Sequence, residues 1–313
     1  MRVYPEWFLG AGFFCFGLIF GSFLNVCIYR LPRGLSVVRP RSACPECHQM
    51  ISAQDNIPVL SWLLLGGRCR HCKAPITPRY AVVEFTCAML FLLCFLRSAL
   101  PVDAVKGCVL CFLLLGLAFT DAETHLLPDA MTLTGLVAGI LLSVISLVPG
   151  PAAALWPISF HGAPTPMQLE VHLFLRSMLN SLSGAAVGAG LLWAIAELYR
   201  VVRKTDGMGF GDLKLMAMVG SFLGPVLTLF VLATSAIAGG FFGGAVLVSI
   251  YRNRLRRYRP RLGAAAGARS WQAAQTAMRA LEIPFGVFLC TMSLVAWFYG
   301  EALVRGYLRL LGY

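Results

Sequence analysis

The strongest constraint on this chain is a series of apolar runs near the roughly 20 residues that a helix needs to cross a bilayer. They occupy Trp7–Tyr29, Ala81–Leu100, Val102–Thr120, Met131–Val148, Phe174–Tyr199, Leu213–Gly224, Val226–Ile250 and Ile283–Val304. In hydrocarbon every backbone N–H and C=O must find a partner within its own segment, so such runs fold as helices. The sixth is short for a span, and Gly224-Pro225 is the only break between it and the seventh, which predicts a tight hairpin there. The polar side of the composition agrees. Only 13% of the residues are charged and 58% are hydrophobic, against about 25% and 45–50% in typical domains. That excludes a soluble globular enzyme, a disordered chain and a small disulfide scaffold. The expected fold is an all-α polytopic membrane protein with about eight transmembrane helices.

Basic residues orient it. Segments 30–80, 200–214 and 251–281 hold 20 of the 26 Lys and Arg, whereas 149–173 holds none. Lys and Arg gather in cytoplasmic loops, where they also meet anionic lipid. An eight-span arrangement with the N-terminus outside places all three basic segments, and the loop 121–130, on the cytoplasmic side. The net charge of +12 therefore marks topology and a lipid bilayer as partner, not nucleic acid. Residues 1–29 are expected to be a retained first helix, since no small-x-small cleavage site follows them. Residues 30–80 form a cytoplasmic loop domain, and 81–313 a transmembrane core with an Arg-rich cytoplasmic loop at 251–281 that reads as a solvated or lipid-surface segment. No internal repeat at a fixed period is evident.

The 11 cysteines divide into two populations. Cys15, Cys27, Cys87, Cys94, Cys108, Cys111 and Cys290 lie in apolar spans, where a free thiol packs as a small hydrophobe. The C-x-x-C spacing of Cys108 and Cys111 falls mid-helix and reads as packing. Cys44-Pro-Glu-Cys47 and Cys69-Arg-His-Cys72 are different: two knuckles in one hydrophilic loop. Each can present two thiolates to one ion, and together they close a tetrahedral site. A reducing cytosol argues against disulfides. The expectation is a structural Zn²⁺ held by Cys44, Cys47, Cys69 and Cys72, with His48 and His71 adjoining. A closed four-sulfur shell has no open position for catalysis.

Acidic residues are scarce, so their places are informative. Asp121, Glu123 and Asp129 follow the third span, and Asp206 and Asp212 precede the sixth. Asp129 after Pro128 reads as a helix N-cap, Glu123 as a solvated loop residue, and Asp206 as turn chemistry. Asp121 and Asp212 abut apolar helices and are harder to explain in that way. A membrane-edge carboxylate is costly and marks function by default. Two that approach each other share a proton, so one acts as general acid while the other activates water. Glycines 207, 209 and 211 before Asp212 allow another chain to approach closely.

Taken in order, these motifs resemble the bacterial type IV prepilin peptidases, the bifunctional leader peptidase and N-methyltransferase family of Gly-x-Gly-Asp aspartic proteases. The resemblance rests on Gly21-Ser-Phe-Leu-Asn25-Val running to Arg30-Leu-Pro32, the two cysteine knuckles, and Asn56-Ile-Pro58 with Ser61-Trp62 between them. Arg79-Tyr80, Glu84, Asp121 with Leu127-Pro128-Asp129, Gly209-Phe-Gly211-Asp212-x-Lys214 and Ile283-Pro-Phe-Gly286 follow, where Val287 stands in place of the family's frequent proline. It implies that Asp121 and Asp212 are the catalytic pair. It implies removal of a short basic leader from prepilins or type II secretion pseudopilins at the cytoplasmic face of the bacterial inner membrane. It also implies methylation of the new α-amine with S-adenosylmethionine, a task linked to the cysteine-bearing loop.

Two other classes compete. A proton-coupled transporter also carries buried carboxylates, but both aspartates sit at one membrane face and no inverted repeat is visible. A non-enzymatic assembly protein of a secretion system, docking through the zinc loop, leaves the Gly-x-Gly-Asp run unexplained.

Overall fold

The computed structural model describes residues 5–98, 100–146, 166–204, 209–262, 266–279 and 284–310. Asp206, Gly207, Ile283 and most of the expected 149–173 loop lie outside them. Among the described residues the regular structure is helical: α1 (Glu6–Arg30), α2 (Leu60–Leu64), α3 (Arg79–Arg97), α4 (Pro101–Thr124), α5 (Asp129–Ser146), α6 (Pro166–Arg203), α7 (Phe210–Leu262), α8 (Ala266–Arg279) and α9 (Phe285–Leu310). Six of these, α1 and α3–α7, are long and apolar enough to cross a membrane, and Phe285–Gly300 of α9 is a shorter apolar stretch. Proline sets several starts, as its fixed φ and missing N–H favour: Pro101 opens α4, and Pro5 and Pro78 precede α1 and α3.

The long α7 is two helices in succession. At Gly224 the backbone leaves the helical region (φ 77°, ψ 173°). A Cβ on Gly188 would lie 2.2 Å from the Met216 carbonyl oxygen and 3.2 Å from Thr228 Cγ2. In an unbroken helix residues 216 and 228 would be about 18 Å apart, so the chain doubles back at Gly224. This is the expected hairpin, and it resolves α7 into the sixth and seventh expected segments.

Packing puts the acidic helices inside. Of the six long apolar helices, α4 and α7 are the most buried. Leu110, Leu114 and Leu117 of α4, and Leu215, Met216, Met218 and Val219 of α7, have no exposure. Lipid-facing side chains such as Phe16, Ile19, Val137, Leu141 and Ile195 remain exposed on the outer helices. Close approach is made by glycine, as in other membrane bundles. A Cβ on Gly184 would meet the Gly220 carbonyl oxygen at 2.1 Å, and one on Gly220 would meet the Gly184 oxygen at the same distance. Gly17 and Gly21 likewise admit Ala88 and Glu84 of α3 against α1.

Contacts between chain-distant residues gather several loops at one end of the bundle. Asn25 Nδ2 donates to the Tyr80 carbonyl oxygen (3.0 Å), Arg79 pairs with Glu123, and Lys214 Nζ reaches both Asp129 carboxylate oxygens (2.7 and 2.8 Å). The 30–80 loop, the α4–α5 turn and the start of α7 therefore share one face, as the basic-residue pattern expected.

The glycine contact is testable. Gly184→Leu would force α6 off α7 and should destabilise the fold by roughly 1–3 kcal/mol or more, read as a lowered thermal midpoint in detergent. Gly190→Ala, where nothing lies within 4 Å of a Cβ, should leave the midpoint unchanged.

Candidate active site and metal centre

α4 does not stop before Asp121. It continues to Thr124 and closes when His125 adopts a left-handed φ of 53°, its N–H donating to the Asp121 carbonyl oxygen at 3.0 Å. Asp121 is thus a residue of the last helical turn and not of a loop, and it is buried. Asp212 stands in the first turn of α7, its N–H donating to the Gly209 oxygen at 3.2 Å, where the helix dipole favours negative charge.

Leu127 is the hub between them. A Cβ on Gly211 would lie 3.1 Å from Leu127 Cβ, and one on Gly286 would lie 3.4 Å from Leu127 Cδ1. The two carboxylates act electrostatically on each other, and both act on the fully buried thiol of Cys290 in α9. The two aspartates the sequence singled out are therefore brought together, from helices whose positions are 91 residues apart.

The start of α9 completes the site. Val287 N–H donates to Asp121 Oδ2 at 3.0 Å. Gly286 leaves room for this approach: a Cβ there would lie 2.8 Å from Oδ2 and 3.0 Å from Cγ. Nothing local in the sequence gives the Pro284-Phe285-Gly286 run a role. The available signal was a proline followed by glycine at a helix start, where orphan N–H groups face any nearby anion. Proline in place of Val287 would lack this donor.

The other acidic residues depart from expectation. Asp129 is the first residue of α5, and its carboxylate grips Lys214 instead of capping its own helix. Lys214, two residues past Asp212, reaches across to the neighbouring helix, which the local pattern around Asp129 did not contain. Glu123 is not a free loop residue. It lies on α4 and pairs with Arg79 at the start of α3. Both ion pairs brace the helix ends that carry the aspartates.

The cysteine loop holds a second constellation. Sγ atoms of Cys44, Cys47, Cys69 and Cys72 all lie within 4.8 Å of one another, and no histidine belongs to the group. Cys44 and Cys72 sulfurs are 3.8 Å apart, and those of Cys47 and Cys69 are 4.0 Å apart. Zinc–sulfur bonds of about 2.3 Å in a tetrahedron place sulfurs about 3.8 Å apart, so the cluster fits that ion. The two knuckles are a structural repeat that the sequence did not reveal. In each, the first cysteine accepts from a left-handed residue four positions on, His48 (φ 56°) or Lys73 (φ 58°). Each is flanked by one bridge, Ala43 with Met50 or Arg68 with Pro75. The backbone N–H groups of Cys72 and His71 pull the Cys69 thiol down, while desolvation and the neighbouring sulfurs push the Cys72 thiol up. Asp55, gripped by both edge nitrogens of Arg70 (2.9 and 2.6 Å), sits below the usual carboxylate range for that reason. In the spans, Cys94 and Cys111 pack with sulfurs 3.6 Å apart, as small hydrophobes.

Comparison with known proteins identifies the family. The model of the bacterial peptidase A24 N-terminal domain matches residues 15–98, and that of the type IV leader peptidase family matches residues 108–244. A prepilin leader peptidase/N-methyltransferase of Pseudomonas putida is 31% identical over 95% of this chain and 93% of its own. The protein of that name from Klebsiella pneumoniae is 36% identical over 69% of this chain and 85% of its own, and that from Aeromonas hydrophila 29% over 96% and 94%. No solved structure shows significant similarity to the chain. With two family models spanning most of its length and relatives matched nearly end to end, this chain belongs to the type IV leader peptidase family.

Proposed function

We propose that the protein is an aspartic endopeptidase of the bacterial inner membrane that removes short basic leaders from type IV prepilins or type II secretion pseudopilins, and that it then N-methylates the new N-terminus. The observation that carries the peptidase reading is that Asp121 and Asp212 act on each other at one end of the bundle, where Gly286 beside Asp121 and Gly211 before Asp212 both close on Leu127. One carboxyl, protonated, donates to the departing amine nitrogen. The other, ionised, takes a proton from the attacking water, and no covalent intermediate forms. The Val287 N–H holds Oδ2 of Asp121 and fixes the carboxylate's orientation.

Placement suits such a substrate. A pilin precursor carries an apolar helix of span length behind a basic leader. That helix can move in laterally from the bilayer while the leader stays among headgroups, which presents the junction at the depth of the dyad. On this reading the end that carries the aspartates and the basic loops is the cytoplasmic one. A transporter reading would place its carboxylates near the midplane, whereas here they occupy helix ends.

Cys44, Cys47, Cys69 and Cys72 would hold the Zn²⁺, which closes the 30–80 loop domain and lends it rigidity without an open position for chemistry. S-adenosylmethionine would supply the methyl group for the amine. The polar cavity between the end of α1 and the zinc loop, lined by Val26, Arg30, Arg41, Ser42 and Asn56, offers guanidinium groups and no carboxylate for a ribose or a sulfonium cation. It does not fit that cofactor.

Asp121→Asn and Asp212→Asn should each lower leader cleavage by roughly 10²–10⁴-fold while the protein still inserts, measured with a purified pilin precursor in detergent. Near-normal cleavage by either variant removes that residue from the pair. Asp129→Asn, whose carboxylate pairs with Lys214, should keep substantial activity. The pH–rate profile of the native enzyme should fall on both sides, because a doubly protonated pair lacks its base and a doubly ionised pair lacks its acid.

Gly286→Ala drives a methyl group onto Asp121 and should reduce turnover on the order of 100-fold with little change in thermal stability. Equal turnover would mean that the α9 start does not position the carboxylate.

The purified protein should contain about one zinc per chain. Replacing Cys44 and Cys47 together with Ser should remove it and make residues 30–80 protease-sensitive. Cleavage should survive in part and methylation should fall severely. If brief chelation stopped proteolysis while that loop stayed folded, the metal would be catalytic and the division of labour wrong.

A further inference from the structure

We propose that residues 57–64 form an apolar finger that inserts among lipid acyl chains at the membrane surface, with Glu84 as its tether. The depth of the tether carries the argument. α3 has 19 residues, Arg79–Arg97, and is therefore about 28 Å long, close to the roughly 30 Å of hydrocarbon it must cross. The helix has no length to spare outside the bilayer. Glu84 lies five residues past its start, about 7 Å deeper. Its buried carboxylate accepts the Val59 N–H at 2.7 Å. The backbone of the zinc loop is thus tied to a side chain rooted more than one turn inside α3.

Val59 itself has a φ of 61°, which is a genuine outlier for a β-branched residue. Such strain persists only where surroundings enforce it, and here the tether does so. What the strained turn delivers is α2. Leu60, Leu63 and Leu64 fall at the i, i+3, i+4 positions of one helical face, and they are 55%, 59% and 85% exposed, with Ile57 beside them at 47%. The finger is stiff. Ser61 Oγ accepts from the Ile57 N–H (3.0 Å) and donates to the Gln54 oxygen (2.9 Å), and Trp62 Nε1 donates to the Ile76 oxygen (3.1 Å). Gly67 packs on the Trp62 ring, two residues before Cys69 of the second knuckle. An apolar face of this kind, attached within a spanning helix, fits the acyl boundary. It would fix the height of the metal domain above the bilayer.

The test uses the full-length protein in phosphatidylethanolamine/phosphatidylglycerol nanodiscs, with a fluorescent amino acid incorporated genetically at position 64 or, as an aqueous control, at Arg68. Lipid brominated high on the acyl chain should roughly halve emission at 64 and leave 68 unaffected, while aqueous iodide should quench 68 and spare 64. Iodide quenching of 64 equal to that of 68 would place the finger in water and overturn the proposal. Protection of 64 from both quenchers would mean that protein, a second copy or a bound substrate helix, covers the face, and would overturn it equally. Glu84→Leu, which leaves the Val59 N–H without its acceptor, should shift position 64 from lipid quenching to iodide quenching while zinc content stays the same. Unchanged quenching in that variant would overturn the tether.

Discussion

The molecule is organised around the cost of holding two like charges side by side at the end of an apolar bundle. Asp121 and Asp212 repel when both are ionised, and hydrocarbon on their flanks strengthens that repulsion. The N-terminus of α7 beneath Asp212 and the Val287 N–H against Asp121 offset it, while the ion pairs of Glu123 with Arg79 and of Asp129 with Lys214 hold the helix ends in place. The carriers, α4 and α7, are also the most buried of the long helices.

Glycine makes the arrangement possible. Gly184 and Gly220 bring α6 and α7 to backbone contact, Gly211 and Gly286 close on Leu127, and Gly286 admits the Asp121 carboxylate at a distance no side chain would permit. Without a hydrophobic driving force between helices in lipid, such close approach and its dispersion contacts carry association. The same residue type that brings the helices together therefore also sets the geometry around the two aspartates.

The cysteine loop is joined to that bundle, not merely tethered by chain. Asn25 meets Tyr80, Glu84 meets Val59, and Arg79 meets Glu123 two residues past Asp121. The cysteine loop is thus in contact with α3 near its start, and α3 with the end of α4. That connection gives a physical route by which one membrane face can perform cleavage and then act on the amine it exposes.

Much of this was legible in the sequence. Apolar run length pointed to the long apolar helices, Gly224-Pro225 to the hairpin, and two C-x-x-C knuckles to the four-sulfur cluster, because each depends on residues close along the chain. The aspartates stood out through scarcity: a charge beside an apolar helix has few structural uses. What the sequence left open were partners. Asp129 looked like a cap until Lys214, 85 residues away, took its carboxylate, and Glu123 looked solvated until Arg79 reached it. Only the tertiary structure placed the Val287 N–H on Asp121, across 166 residues. The reason is physical. Helix formation and metal-ligand spacing are short-range and leave a periodic trace, whereas hydrogen bonds and ion pairs between helices are decided by how buried faces pack, and no local pattern encodes which distant donor will arrive.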